Sequence, residues 1–301
     1  MFADDTVVAA ALLAIEGGFD QDTASAIADG RRRPRGHLLP ESLGVHFGLE
    51  AGPTGRHARI VRIAVHPAVR CRGLGSSLVS FILESSRGRG LDCVGTTFGA
   101  TPALTRFWGH AGLQPLRLGV RRGTASGSHA LLMLRGLSAN GIDLVQLASE
   151  VFARNFRSQL ADTLTLVPTK VVLEVLGQRV MAPAMPDIRQ WRDVAAFALL
   201  GRTYEDVVGS LETTVWWALA SEERSVKLSA LCCDLLVARV LQKRSWTACA
   251  ELCKAPGRAG VLALLRDGMA KILEGADLTA VQAEVLRLQA RSIARSSPSR
   301  G

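Results

Sequence analysis

Hydrophobic residues in the first 137 positions of the chain occur in short runs separated by glycine, proline and charged residues. Runs rich in β-branched residues are typical of strands, whereas apolar residues three or four positions apart indicate amphipathic helices. We predict strands over residues 60–65, 92–98, 113–120 and 129–137. We predict helices over residues 22–28, with an aspartate as N-cap, and over 40–49, 76–87 and 101–112. Residues 6–15 fit either a buried strand or a short helix, and residues 51–55 are predicted to form a loop.

From residue 142 onward the spacing of apolar residues changes to the repeat of helices. We predict helices over residues 142–160, 188–200, 204–220, 226–242, 246–254, 261–274 and 278–293. In this half only residues 171–175 show the alternation of a strand. The two patterns predict an α+β protein, with a mixed sheet and flanking helices in residues 1–137 and an all-helical domain in residues 138–301.

The composition supports a folded protein with a phosphate-bearing partner. Of the 301 residues 48% are hydrophobic and 21% are charged, which provides for a sizeable core and excludes a chain disordered by composition. The formal net charge is +9, and 31 of the 36 basic residues are arginine, whose planar guanidinium binds phosphate in a bidentate manner. A general preference for arginine would produce the same ratio, so the charge alone does not identify the partner.

The cysteines and histidines argue against a metal site. None of the six cysteines belongs to a C-x-x-C pair, and all six histidines lie at or before His129, far in sequence from the cysteines of the second half. No apolar run is long enough to span a bilayer, and no signal peptide is evident. We therefore expect a cytoplasmic protein without a metal ion or a membrane anchor. The sequence does not predict an oligomeric state.

The most informative stretch runs from Arg59 to Ser76. It combines an apolar strand that stops at Pro67, a basic turn of the form Arg-x-x-Gly-x-Gly and the beginning of a helix. Such a unit directs backbone N–H groups at one point in front of a helix, and it therefore binds anions such as a pyrophosphate. Neither the Gly-Lys-Ser/Thr of a P-loop nor the dinucleotide pattern Gly-x-Gly-x-x-Gly is present. An ordinary glycine turn between a strand and a helix is the alternative.

The strand–loop–helix unit resembles the coenzyme A loop of the GNAT acetyltransferases. Together with three further segments, residues 30–39, 97–108 and 119–128, it resembles the acetyltransferase part of the tRNA(Met) cytidine acetyltransferases (TmcA). Residues 241–246 and 257–266 are similar to the tRNA-binding region of that family. The resemblance covers nearly the whole chain. It implies a GNAT N-acetyltransferase domain in residues 1–137 and a helical tRNA-binding domain in residues 138–301.

By this resemblance, the chain would transfer an acetyl group from acetyl-CoA to the exocyclic amine of the wobble cytidine in elongator tRNA(Met), forming N4-acetylcytidine. In the family an RNA-helicase module that uses ATP or GTP precedes the acetyltransferase domain. The chain has no Gly-Lys-Ser/Thr loop, so we expect no nucleoside triphosphate site in it. The usual first strand of the acetyltransferase fold also lacks a counterpart, which implies a domain truncated at its N-terminus. A C-terminal fragment, a wrongly assigned start and a natural truncation all fit.

The candidate site residues fall into three groups. The predicted acetyl-CoA contacts are Ile63, Ala64, Val65, Arg70, Cys71, Arg72, Gly73, Leu74, Gly75 and Ser76. The candidate proton acceptors are His66, His46 and His110. The candidate RNA contacts are Arg31, Arg32, Arg33, Arg35, Arg121 and Arg122. Two positions depart from the family's pattern at places linked to acetyl-CoA binding: Ala103 replaces a carboxylate, and His110 replaces an arginine.

Two other functions remain open. The chain would be a catalytically inactive tRNA-binding remnant if these departures abolish cofactor binding. It would be a generic GNAT enzyme if the acceptor is an amine of a small molecule or of a protein. A sheet without its first strand would also expose an unpaired edge, which predicts poor solubility.

Overall fold

The computed structural model describes residues 1–3, 6–124, 127–178, 184–221, 228–276 and 287. The chain divides into two compact units, Met1–Phe156 and Arg157–Gly301. The sheet lies in the first unit, and the described elements of the second unit are helical. The predicted α+β class, with a mixed sheet and flanking helices followed by a helical region, is therefore confirmed.

The described strands of the first unit belong to one small hairpin and one mixed sheet. They are β1 (Phe2–Ala3), β2 (Thr6–Val7), β3 (Ala9–Gly17), β4 (Arg56–Val65), β5 (Cys93–Gly99), β6 (Gln114–Arg122) and β7 (His129–Gly136). β1 pairs with β2, and the other five form a sheet in the order β3-β4-β5-β7-β6. Only the pair of β4 and β5 is parallel in this sheet, since the remaining described neighbours are antiparallel.

Helices cover both faces of the sheet. They are α1 (Gln21–Ala28), α2 (Leu38–Phe47), α3 (Ala51–Thr54), α4 (Leu74–Gly88), α5 (Pro102–His110) and α6 (Ala139–Ala161). On one face, α2 and α6 bury a cluster of Leu39, Leu43, Cys93, Leu116, Leu132, Leu134, Leu144, Val145 and Ala148. Neighbouring residues of a strand point to opposite faces, so Phe98 of β5 faces away from Cys93 and contacts Trp108 of α5. α4 lies on that second face, where its first turn approaches Val65 and Phe107.

Three local predictions for the first unit need correction. Residues 6–15 form strand rather than helix, but β3 lies at an edge of the sheet with several exposed side chains and is not a buried strand. Residues 51–55 were predicted to be a loop but contain the helix α3. Gly52 packs closely against Leu43 of α2, and this tertiary contact stabilises the short helix. α1 begins at Gln21, one residue before the predicted start, and the aspartate that caps it is Asp20, whose side chain accepts the N–H of Thr23 at 2.8 Å.

The second unit contains six further described helices after the end of α6. They are α7 (Thr169–Gly177), α8 (Ile188–Leu200), α9 (Tyr204–Leu219), α10 (Ala230–Leu235), α11 (Trp246–Cys253) and α12 (Gly257–Gly275). A π-helical turn, Leu236–Leu241, continues α10. No helix among the described residues is both long and apolar enough to cross a membrane.

The strand-like reading of residues 171–175 was wrong, because these residues lie inside α7. Val171, Val172 and Val175 occupy positions that share one side of a helix, and all three are buried. The predicted helix at 278–293, apart from residue 287, and the first two positions of the predicted helix at 226–242 lie outside the described residues.

Candidate functional site

The parallel strands β4 and β5 separate towards their carboxyl ends. Their pairing ends at Ile60 and Thr96, although β4 continues to Val65 and β5 to Gly99. The Thr96 hydroxyl donates to the Ile60 carbonyl oxygen at 3.0 Å, at the last residue pair that joins the two strands. Beyond this point, the backbone groups that face each other across the two strands have no strand partner, and an opening forms between residues 61–65 and 97–99.

A bulge in β4 accompanies the opening. Leu12 of β3 pairs with Arg62 and Leu13 pairs with Ile60, so Val61 has no partner in β3. A bulge of this kind bends the strand and increases its twist. The end of β4, which carries the predicted contacts at positions 63–65, is thereby turned away from β5.

The loop of residues 70–73 leads from the opening to α4. Cys71 has a φ of 60° although it is not a glycine, and Gly73 has a φ of 81°. Gly73 is the N-cap of α4 and contributes no side-chain cap. Left-handed residues beside a helix start direct N–H groups to one side, as in anion-binding nests. Gly75 has a different role, because a Cβ at this position would lie 3.4 Å from the ring of Phe107.

The amide groups of this loop are available to a ligand. Among the described residues, the backbone N–H groups of positions 71–76 have no hydrogen-bond acceptor. Unpaired N–H groups at a helix start carry the positive end of the helix dipole. The exposed side chain of Arg72 adds charge, and Arg70 donates its Nε to the Val65 carbonyl oxygen at 3.2 Å, which ties the loop to the end of β4. The loop, the helix start and the opening are therefore adjacent.

The three candidate histidines lie in different places. His66 directly follows β4 at the opening, where its Nδ1 accepts the N–H of Ala68 at 3.3 Å. His46 lies in the last turn of α2, on the face of the sheet opposite to α4. His110 ends α5, which runs back from the carboxyl end of β5, so it lies at the other end of β5 from the opening.

Two of the predicted RNA contacts are engaged within the protein. Arg31 forms an ion pair with Asp29 at 2.6 Å, and Arg32 donates to the hydroxyl of Thr23 at 3.0 Å. Both arginines remain exposed. Their guanidinium groups would have to leave or share these partners to bind a phosphate.

The other four predicted RNA contacts are also exposed. Arg33 lies 3.6 Å from Glu41, a loose ion pair, and Arg35 is exposed. Arg121 and Arg122 are exposed at the end of β6. Because β6 runs in the same direction as β5, the carboxyl end of β6 lies at the same end of the sheet as the opening.

Two buried polar atoms near this end of the sheet were not predicted from the sequence. Thr97 is the first residue of β5 beyond its pairing with β4, and its Oγ1 has no hydrogen-bond partner. His129 begins β7 and its Nδ1 lies 2.7 Å from the Gly119 carbonyl oxygen, so Nδ1 carries the ring proton. Its Nε2 is then a buried acceptor without a partner. Both residues are recognised as neighbours of the opening only from the strand order, which the sequence does not show.

The arrangement of potential metal ligands and the burial of Cys93 bear on metal and thiol chemistry in the described part of the chain. It contains no group of three or more His, Cys, Asp or Glu side chains arranged to hold a metal ion. Burial raises the pKa of the Cys93 thiol to about 12, so this cysteine stays protonated and unreactive.

Comparison with known proteins identifies the first unit. Residues 5–92 and 81–138 match the family model described as GNAT acetyltransferase 2. The chain is 44% identical over 283 residues to the tRNA(Met) cytidine acetyltransferase TmcA of Nitrosococcus halophilus. It is 30% identical to proteins of the same name from Vibrio cholerae, over 275 residues, and Thermococcus kodakarensis, over 257 residues.

These matches cover 94%, 90% and 82% of this chain but only 38%, 36% and 31% of the three relatives. The chain thus spans about a third of their length. Among solved structures, the apo form of an agmatine N-acetyltransferase mutant matches 45% of this chain and 74% of that chain. Its TM-score of 0.32 and identity of 18% are too low to support an argument. Residues 5–138 match the GNAT acetyltransferase 2 family, and the chain as a whole resembles about a third of a tRNA(Met) cytidine acetyltransferase.

Proposed function

We propose that this chain is an acetyl-CoA-dependent RNA cytidine acetyltransferase that forms N4-acetylcytidine at the wobble position of elongator tRNA(Met). The observation that carries the proposal is the set of free N–H groups at positions 71–76, in front of α4 and beside the opening between β4 and β5. The names of the relatives and the match to the acetyltransferase family support the same reading.

The residues present fit acetyl-CoA. The N–H groups of positions 71–76 and the side chain of Arg72 would hold its pyrophosphate, since unpaired amides at a helix start bind such anions. The backbone groups of positions 63–65 on the β5 side, which have no strand partner, would hold its extended arm within the opening. When bound, acetyl-CoA supplies an acetyl group activated as a thioester.

The chain's own groups would orient the acceptor and stabilise charge. The exocyclic amine of cytosine is a weak nucleophile, because its lone pair is delocalised into the ring. A backbone N–H of Ile63, Ala64 or Val65 on the β5 side can donate to the carbonyl oxygen as it gains negative charge. Holding the amine at this point removes the entropic cost of encounter.

His66 is the candidate proton acceptor nearest to the opening. In the neutral ring, the hydrogen bond from Ala68 keeps the proton on Nε2 and leaves Nδ1 as the basic atom. To accept a proton from the amine, the ring has to give up the Ala68 bond. That bond is long and solvent-exposed, so its loss costs little.

A second candidate function has an observation in its favour. Ala103 and His110 replace family residues linked to acetyl-CoA binding, and both are exposed on α5. A chain that binds tRNA without binding acetyl-CoA would be an inactive remnant. Acetylation of a small-molecule or protein amine would instead make it a generic GNAT enzyme.

The test uses the full chain, acetyl-CoA and a transcript of elongator tRNA(Met). We expect calorimetry to detect acetyl-CoA binding, and mass spectrometry of nuclease-digested RNA to detect N4-acetylcytidine. A transcript with uridine at the wobble position is the matched control and should gain no acetyl group. The absence of acetyl-CoA binding at millimolar concentration would contradict an enzymatic role. RNA binding without acetyl-CoA binding would favour the remnant, and acetylation of an amine other than RNA would favour the generic enzyme.

A further inference from the structure

We propose that Arg117, His46 and Arg33 form a phosphate-binding subsite for the acceptor RNA on the face of the sheet opposite to α4. The inference rests on the proposed function, because it takes RNA to be the acceptor. It adds Arg117 and His46 to the predicted RNA contacts, of which Arg33 is one.

Arg117 is the centre of this subsite. It lies in β6 opposite Leu132 of β7, and Leu132 belongs to the core beneath α2 and α6, so Arg117 belongs to the same face. The residue is half-buried, and among the described residues no carboxylate or carbonyl oxygen pairs with its guanidinium. Burial lowers the pKa of Arg117, which indicates an environment unfavourable to its charge. A partly buried cation without a counter-ion is stabilised when an anion binds to it.

The charges of Arg117 and Arg33 both act on His46. Partial burial, Arg117 and Arg33 together lower the pKa of His46 in the last turn of α2. Glu41, on the first turn of α2, lies 3.6 Å from Arg33 and forms a loose ion pair with it.

The position of the subsite argues for the acceptor rather than the cofactor. The free amides of positions 71–76 belong to α4, on the other face of the sheet. A donor held in front of α4 and an RNA held beside α2 would therefore lie on the two faces of the sheet, with each phosphate group bound on its own side.

The arginines in residues 31–35 differ in how firmly they are bound to partners within the protein. Arg31 and Arg32 have internal partners at 2.6 and 3.0 Å, whereas Arg33 has only the longer contact with Glu41. Exposed ion pairs of this kind contribute about 0–1 kcal/mol, so an RNA phosphate can displace Glu41 readily. Of these arginines, Arg33 is the one whose charge helps to lower the pKa of His46.

The test measures binding of a fluorescein-labelled anticodon stem–loop of elongator tRNA(Met) to the full chain at several salt concentrations. Arg117→Gln should weaken binding roughly tenfold at low salt, and it should reduce the slope of log K against log salt by about 1, the effect of one lost phosphate contact. Arg87→Gln removes the same charge from the exposed end of α4, and it should leave both quantities unchanged. Arg33→Gln, at a residue whose side chain is 63% exposed, should weaken binding in the same way without a risk to folding.

His46 provides a second readout. A bound phosphate raises the pKa of a neighbouring histidine, so His46 would take up a proton on binding and affinity should rise as pH falls from 8 to about 6. His46→Gln should flatten this dependence and leave acetyl-CoA affinity unchanged.

The outcomes distinguish this inference from the proposed function. If the native chain binds RNA, but Arg117→Gln and Arg33→Gln keep its affinity and salt slope, the subsite is wrong and the proposed function stands. A loss of acetyl-CoA affinity in these two variants, with RNA binding intact, would assign the cluster to the cofactor's phosphates and also overturn the inference. If the native chain binds no RNA, the proposed function fails and the inference fails with it.

Discussion

At Cys71 and Gly73 the backbone adopts the left-handed conformation, and this is the residue-scale feature on which the cofactor loop depends. Glycine takes this conformation at no steric cost, whereas a residue with a Cβ is strained in it. Cys71 lacks the conformational freedom of a glycine, so the surrounding loop must hold it in the left-handed conformation. The strain keeps the N–H groups of positions 71–76 directed to one side before a ligand arrives.

Gly73→Ala tests this feature. No atom lies within 4 Å of the position that the new Cβ would take, so the substitution acts through φ alone. The left-handed conformation costs alanine roughly 1 kcal/mol more than glycine. We expect a variant that folds, melts a few degrees lower in a thermal scan and binds acetyl-CoA about fivefold or more weakly in calorimetry, because a relaxed loop misdirects its amides.

Gly88→Ala is the matched control, since Gly88 lies in the last turn of the same helix, has no positive φ and also has free space around it. Alanine favours helix over glycine, so this variant should be as stable as the native chain or slightly more stable. It should bind acetyl-CoA normally. Unaltered acetyl-CoA affinity in Gly73→Ala would show that the loop geometry does not hold the cofactor.

At the scale of elements, the segment after the π-helical turn connects two parts of the second unit. Gln242 is fully buried, and its Nε2 donates to the carbonyl oxygens of Leu164 and Val167 at 3.0 and 2.9 Å. Arg244 donates to the carbonyl oxygens of Thr165 and Val167 at 2.8 and 2.7 Å. In this structure both side chains support the loop between α6 and α7, although they belong to a segment that resembles a tRNA-binding region.

Gln242→Glu tests this structural role. The change keeps the shape of the side chain but replaces its donor by an oxygen that faces two carbonyl oxygens in a buried place. We expect the free energy of unfolding to fall by about 2 kcal/mol or more in urea denaturation, the cost of an unpaired buried polar or charged group. Gln146→Glu makes the same exchange at an exposed position of α6, and it should change stability by less than about 0.5 kcal/mol. Equal stability of the two variants would refute the role.

At the scale of the whole molecule, the sheet ends at β3 with an edge that no described strand covers. β3 carries neither proline nor a basic residue, the usual protections of an edge strand, and its only charged residue, Glu16, is buried against Arg59 at 2.5 Å. Leu12, Leu13 and Ile15 are exposed on it. An unprotected apolar edge favours pairing with another chain, and poor solubility therefore stays a prediction for this chain.

Leu12→Glu should reduce that self-association. Leu12 is 57% exposed and lies opposite the exposed Arg62 of β4, so a carboxylate is accommodated there and adds charge to the edge. In sedimentation velocity we expect the native chain to form larger species with rising concentration and the variant to form fewer. Leu147→Glu, at an exposed leucine of α6, adds the same charge away from the edge and should behave like the native chain. A monodisperse native chain would contradict the prediction.

The sequence by itself determined the features that depend on neighbours along the chain. The Thr101 side chain accepts the N–H of Leu104 at 3.3 Å, and Pro102 occupies the first turn of α5, an arrangement that threonine followed by proline at a helix start predicts. The strand–loop–helix order around Gly73 and the change from a sheet to helices after residue 138 were also predictable. Caps, turns and apolar periodicity are local, so their residues are sufficient to indicate them.

Only the tertiary structure decided which distant residues meet. The alternation at residues 171–175 suits a strand, but packing of its three valines against neighbouring helices makes it part of α7. The point at which β4 leaves β5 depends on strand order and on the bulge at Val61, neither of which the sequence displays. The electrostatic interaction of Arg117 with His46 joins a strand and a helix that are far apart in the chain. Such contacts follow from closing long loops around one core, and their geometry is therefore a property of the assembled fold.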